Sequence, residues 1–346
     1  MIGLLATLAG AQTPPDAFGR FDVENLTIVR PVGAAFEGGF DNSDPNDESA
    51  FDRTVVRALE GRATDYDFVM VFIGQGLPRQ IAGAFAFNET HNRDLMGVGS
   101  VRLADERFSV RSALYMNRTT SFTTLDPVRS QWVFNHEIGH HWLAYPWIDL
   151  GEGRSDVLLG RQRAHWTYFL HTGNAPMEGN DWIDNGDGTF TTNPSSGQGG
   201  YSDLELYTMG LLRADEVAPF FLIEPDDPGN RTRTSAPDHW LEIAPFTVSG
   251  QRIDLTIDDL IATNGPVSPG PDTSQKDFRF LTVLVVGPFE DIDSGDLTRV
   301  SELQTQWAEG FATATRNLAR VSFDMPDEKL TLASIDAPAW IPEAAR

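Results

Sequence analysis

The stretch from Val133 to Trp142, Val-Phe-Asn-His-Glu-Ile-Gly-His-His-Trp, constrains this chain more than any other. It contains His-Glu-x-x-His, a spacing that is useful only on a helix. There, His136 and His140 lie on one face, one turn apart. Two imidazoles so placed can share one metal ion, and zinc takes nitrogen ligands at about 2.0–2.1 Å. Glu137 follows the first histidine and can reach a water in the metal's open position, where it would act as general base. The flanks favour a helix as well. Asp126-Pro127 reads as N-cap and first helical residue. Val128, Trp132 and Val133 give it a buried face. The helix is expected to stop near Tyr145, because the residue before Pro146 is pushed out of the α region. The plain alternative is a helix with two unrelated histidines and a solvated glutamate.

Composition narrows the surroundings of that helix. With 346 residues and 40% apolar content, the chain can bury a sizeable core in one large domain or two medium ones. It has no cysteine, which excludes disulfides, thiolate metal sites and cysteine nucleophiles. Fifty acidic residues against 26 basic ones give a formal charge of −24. Such a field repels nucleic acid and anionic membranes, so neither is expected as a partner.

Ile2 to Ala11 form a short apolar run that ends in small residues and is too short to span a bilayer. With Ala9-Gly10-Ala11 as cleavage site, residues 1–12 read as a truncated secretory signal peptide. The basic n-region is missing, since the first Arg or Lys is Arg20. The expectation is a secreted protein, extracellular or periplasmic, without a membrane span. Asp41 to Glu48 packs carboxylates and amides closely enough to hold calcium through oxygen ligands. A loop capping the next helix is the plainer reading.

The elements before the motif are a strand over 21–29 and a helix over 49–62 carrying Phe51, Val55, Val56 and Leu59 inward. A buried strand over 66–73 follows, then strands over 82–87 and 112–116. A helix, strands and then a helix bearing His-Glu-x-x-His make a small α+β lobe. Residues 49–145 resemble the N-terminal half of the zincin metallopeptidases, with Val133–Trp142 matching their extended zinc signature. The resemblance implies a zinc-dependent peptidase of zincin-like fold acting on protein or peptide substrates, most simply as a monomer. Its N-terminal subdomain would span 21–145, and a C-terminal one over 146–346 would complete the zinc site and the cleft. It also implies an edge strand above the active helix that pairs with an extended substrate. Ala82–Asn88 is the segment for that role. The rival reading is a catalytically degenerate zincin-like domain with a zinc-binding, adhesive or carbohydrate-binding task.

Catalytic zinc usually has three protein ligands. The metzincin pattern places Gly three and His six residues beyond His140. Leu143 and Pro146 stand there, which rejects that subclass. His165, far enough along for the chain to leave the helix and return, is the first choice as third ligand, with Glu205 as the alternative. Glu152, Asp156 and His171 are weaker rivals. His141 points about 100° away from His140 and reads as a supporting or packing residue.

Residues 172–200 are rich in Gly, Asn, Asp, Ser and Thr and read as a long loop or hairpin outside the core. Within it Asp184 to Thr189 resembles the start of a calcium loop, but a hairpin turn is the simpler reading. A helical segment over 201–212 follows. Met209 resembles the methionine-containing turn of some zincins, and Tyr201 and Tyr207 are candidate donors to an oxyanion. The last third reads as a strand over 251–255, a short helix capped by Thr256, a buried strand over 278–286 and an amphipathic helix over 297–320.

Overall fold

The computed structural model describes residues 18–23, 25–31, 50–62, 65–75, 85–196, 199–241, 243–287, 290 and 292–325. The signal-peptide segment 1–12, the acidic stretch Asp41–Glu48 and residues 82–84 of the expected edge strand lie outside these.

The fold mixes α and β elements around two large sheets. The first contains β1 (Phe18–Val23), β2 (Leu26–Pro31), β3 (Phe68–Ile73), β4 (Phe87–Thr90) and β5 (Ser112–Arg118). The second contains β6 (Trp166–His171), β7 (Glu178–Asn180), β8 (Trp182–Asp184), β9 (Thr189–Thr192), β10 (Phe220–Pro225) and β11 (Thr247–Leu255). The late strands β12 (Asp277–Val285) and β13 (Arg320–Ser322) return to the first sheet. Its order is β1-β2-β12-β3-β5-β4, with β13 also paired to β12. The central strands β2, β12, β3 and β5 run parallel, whereas β4 is an antiparallel edge. The first sheet is thus built from both sides of residue 146.

Why the centre is parallel can be read from β3, Phe-Val-Met-Val-Phe-Ile, which is buried at every position. Such a strand needs cover on both faces, and alternate residues supply two cores. Phe68, Met70, Phe72 and Phe280 pack towards α2 (Pro127–Gly139) and α5 (Ser294–Ala314) through Phe134, Ile138, Trp307 and Phe311. Val69, Val71, Val283 and Val285 pack towards α1 (Ala50–Leu59) through Val55, Ala58 and Leu59. Phe134 stacks on Trp307 at 5.0 Å, and the Trp307 indole donates to Ser130 Oγ at 3.1 Å. Each such ring buried contributes roughly 1.5–3 kcal/mol. The motif helix is therefore fixed between the first sheet and α5. No helix among the described residues is long and apolar enough to cross a membrane.

Three expectations are corrected. The single strand over 21–29 is a hairpin, β1 with β2, paired antiparallel from Phe18 with Pro31 to Val23 with Leu26. The C-terminal helix ends at Ala314, because Arg316 and Asn317 take left-handed backbone conformations and turn the chain into β13. Residues 182–192 form the expected hairpin with an exposed turn, but residues 174–180 belong to the core. Asn174, Ala175, Met177, Glu178 and Asn180 are all at most 1% exposed, and they include polar side chains satisfied by backbone partners. Hydrophilic composition concealed that burial.

Candidate metal centre

α2 starts as its sequence dictates. Asp126 Oδ1 accepts from the backbone of Val128 and Arg129 at 2.9 and 3.1 Å, and Pro127 occupies the first turn. It ends at Gly139, earlier than Pro146 alone would require. The last carbonyls are satisfied from outside: Arg93 Nε donates to His141 O at 2.6 Å, and Tyr145 Oη donates to His140 O at 2.7 Å. His140 itself keeps helical angles, and its backbone N–H donates to His136 O at 3.2 Å. The one-turn relation of the two histidines therefore survives the early stop.

The structure brings His165 to this pair, from the residue just before β6. His136 Nε2 lies 3.1 Å from His165 Nε2 and 3.2 Å from His140 Nε2. All three possible ligand atoms lie within 4.8 Å of one another. The other side of each ring shows which nitrogen is bare. His136 Nδ1 donates to Pro176 O at 2.7 Å, and His165 Nδ1 donates to Arg161 O at 2.8 Å. His140 has a corresponding hydrogen bond to the Leu143 backbone. A carbonyl only accepts, so Nδ1 carries the hydrogen and Nε2 presents a lone pair. Three lone pairs converging without a proton repel one another, and a cation between them removes the repulsion. Two ligands at 2.0–2.1 Å from a tetrahedral zinc sit about 3.3 Å apart, close to the spacings here. Burial holds all three imidazoles below their ordinary range, His165 at about 4, so the neutral, ligating form prevails at neutral pH. The buried group could thus hold a metal ion.

Glu137 lies between the two helical histidines in sequence and is 6% exposed. Its Oε2 has no hydrogen-bond partner among the described residues. Burial pushes its carboxyl up to about 8, and the Arg161 charge pulls the other way. An unpaired buried carboxylate oxygen is costly to keep, which is a reason to expect a ligand or substrate beside it.

The other candidates fall elsewhere. Glu205, the alternative ligand, does not join the histidines. Its Oε1 accepts from Trp166 Nε1 at 3.2 Å and Met177 N at 3.1 Å, and its Oε2 from Ser202 N at 2.8 Å. It caps α3 (Asp203–Thr208) and holds the segment that carries Pro176 O. His141 is fully buried against Phe68, with Nδ1 and Ser112 Oγ 3.0 Å apart. His171 stacks on Phe221, Asp156 pairs with Arg163 and Arg233, and Glu152 is exposed. Tyr201 gives its hydroxyl hydrogen to Asn135 O, and the Tyr207 hydroxyl accepts from Val267 N. Met209 is the C-cap of α3. The residue packed against the motif helix is instead Met177, whose sulfur would lie 2.6 Å from a Cβ placed on Gly139. Asp184 to Thr189 is the turn of the antiparallel β8–β9 hairpin.

Reading the sequence missed Arg161 and Glu178. Both Glu178 oxygens accept from Arg161 Nε, at 3.0 and 3.2 Å, and Oε1 also accepts from Nη2. The same Oε1 lies 3.7 Å from His165 Nε2. Neither residue belongs to a motif, and only their neighbourhood to His165 could have signalled them. A cavity of about 360 Å³ is lined in part by Arg129, Trp132, His239 and Trp240, and by none of the three histidines or Glu137. The Trp132 ring lies 4.7 Å from that of His136. No known protein family, curated protein or solved structure matches this chain.

Proposed function

We propose that the chain is a zinc-dependent hydrolase cleaving peptide bonds, a zincin-like metallopeptidase in which His136, His140 and His165 hold the metal. The observation that carries this reading is the pairing of three converging bare Nε2 atoms with a buried, unpartnered carboxylate oxygen one residue from a ligand. Zinc, when bound, would lower the pKa of a water towards roughly 7 and polarise a carbonyl. Glu137 then accepts the water's proton at Oε2 and returns it to the leaving amine. His136 and His165 are kept in the ligating tautomer by Pro176 O and Arg161 O. The cavity beside Trp132 offers room for a substrate side chain. The edge strand β4 begins at Phe87, so it shares only Phe87 and Asn88 with the expected segment Ala82–Asn88, and Phe85 and Ala86 lie outside any strand. As an antiparallel strand with none beyond it among the described residues, it supports the strand-pairing mode.

The test is Glu137→Gln in zinc-replete protein assayed on a peptide mixture. The variant should retain about one zinc per chain, because three histidines remain, and lose about 10²–10⁴-fold in rate. Hydrolysis at the wild-type rate would sink the reading. A wild-type protein that binds zinc and cleaves nothing would favour a purely zinc-binding domain.

A further inference from the structure

The cavity beside the first turns of α2 is lined by buried side chains that lack partners. Trp132 and His239 are 6% and 8% exposed, and their rings meet edge to face at 5.6 Å. Trp132 Nε1 and both ring nitrogens of His239 have no hydrogen-bond partner among the described residues. Two buried polar side chains left open at one cavity cost free energy until something pairs with them. An indole N–H only donates, and an imidazole carries at least one N–H in any protonation state. Both side chains therefore ask for an acceptor. The charge at the cavity favours an anionic one. Arg129 is half-buried in the lining, its guanidinium 5.4 Å from the Trp240 ring and its Nη2 donating to Trp240 O. The acid in the lining, Asp126, is exposed, and its Oδ1 already accepts from the backbone of Val128 and Arg129. Solvent and salt screen that exposed carboxylate more than the half-buried guanidinium. The rest of the wall is largely apolar, with Ile243 and with Trp240 stacked on Trp132 at 4.6 Å. The space of about 360 Å³ has room for an apolar body behind the charged end.

We propose that this cavity is a carboxylate-binding site, in which Trp132 Nε1 and His239 donate to the carboxylate oxygens and Arg129 supplies the opposite charge. Hydrogen bonds to an ionised acceptor are the strong ones, so few donors suffice. The ligand is a carboxylate on a short apolar body. In a peptide that group is the side chain of an acidic residue or the C-terminal end of the chain. Trp132 also lies 4.7 Å from the ring of His136, so the site stands one side chain away from the candidate metal centre. On the hydrolase reading above, on which this last step rests, it selects peptides with a carboxylate near the cleaved bond. Carboxylate binding itself needs neither metal nor turnover.

The probes are 4-methylpentanoate and its uncharged amide, titrated by calorimetry into the full chain with and without zinc. The acid should bind at least about tenfold more tightly than the amide, with the same affinity in both forms of the protein. His239→Phe keeps the ring and removes the donor, and it should weaken the acid about tenfold. That variant leaves no unpaired polar group behind, so its urea unfolding should be no easier than the wild type's. The indole N–H resonance of Trp132, identified by its loss in Trp132→Phe, should shift as the acid is added. Equal binding of acid and amide overturns the proposal, as does unchanged affinity in His239→Phe. Binding that appears only with zinc present would place the carboxylate on the metal and overturn it as well. Two peptides separate the sources: acetyl-Ala-Glu-Ala-amide has only a side-chain carboxylate, and Ala-Ala-Ala only a terminal one. Displacement of 4-methylpentanoate by one of them supports the site and names the source, and displacement by neither overturns the assignment to peptides. A protein that binds the acid through His239 and cleaves no peptide would keep this site and remove the peptidase reading.

Discussion

Two segments meet at the candidate metal centre, and the groups they bring there are aimed by different means. α2 delivers His136, Glu137 and His140 as a rigid repeat whose other side, Phe134 and Ile138, is fully buried in the core of the first sheet. The segment from Arg161 to Glu178 is anchored in the core too, through Trp166, Leu170 and Met177, but the groups it turns to the centre, His165 and the Pro176 carbonyl, are aimed by polar contacts. It is tied down by Glu205, Glu178 and backbone carbonyls. Apolar packing anchors both halves; helix geometry aims the first, and hydrogen bonding aims the second. Damage to the first should therefore appear as lost stability, and damage to the second as lost metal affinity.

The largest expected effect is on the helix side. Phe134 is fully buried between Trp307 and Phe280, at ring distances of 5.0 and 5.7 Å. Phe134→Ala should cost about 3–5 kcal/mol of stability, measured by urea unfolding of zinc-free protein. The fraction that remains folded should bind zinc within about threefold of wild type, since the loss is a core cavity rather than a ligand contact. Zinc affinity falling in step with stability would break the proposed division.

Acid should expose a second, smaller weakness on the same side. The stretch that brings Arg93 to the end of α2 also carries His91, which is 4% exposed and stacked on Phe108 at 3.7 Å. Burial drives His91 down to about 4. The unfolded chain takes up the same proton near pH 6.5, so the unfolded state binds more protons on acidification. The associated stability is present above about pH 6.5 and is lost as pH falls towards 4, by about 3 kcal/mol. His91→Phe keeps the ring stack and removes the proton site. Its urea-unfolding free energy should fall less than the wild type's between pH 7 and pH 4, by about that amount. The difference should be the same with and without zinc; one that disappears on zinc loading would tie this support to the centre.

The same contrast explains what could be read from the sequence. α2 announced itself through Asp126-Pro127, its apolar face and the four-residue spacing, because helix geometry makes local sequence sufficient. β3 and β12 were legible as continuous apolar runs. That β12 would enter between β2 and β3 was not, because strand order is set by which buried faces fit and leaves no local mark. The resting place of His165 beside α2 depends on a fold-wide return of the chain, so spacing nominated it without excluding Glu205. Arg161 and Glu178 were invisible: an arginine and a glutamate 17 residues apart carry no signal until the chain has turned. Residues 172–180 were misread for the same reason, since buried amides and carboxylates look like loop composition when their partners are backbone groups.

The finest cut at the comparison is Glu205→Gln, which touches no ligand. Glu205 is fully buried and accepts at both oxygens, from Trp166 and Met177 on one and from Ser202 on the other. Burial raises its carboxyl to about 7 against the pull of those donors. An amide has one acceptor oxygen and one NH₂ group, so either the Ser202 pair or the Met177 pair must face a donor. Met177 is next to Pro176, whose carbonyl orients His136, so the disturbance reaches the centre through one residue of backbone. Weakening such an outer support typically costs about 10–100-fold in metal affinity. Competition with a chelator should show that loss in Glu205→Gln, alongside a smaller change in unfolding free energy than in Phe134→Ala. If the glutamine variant instead binds zinc as wild type does and is merely less stable, the segment is held by packing like the helix, and the contrast between the two halves fails.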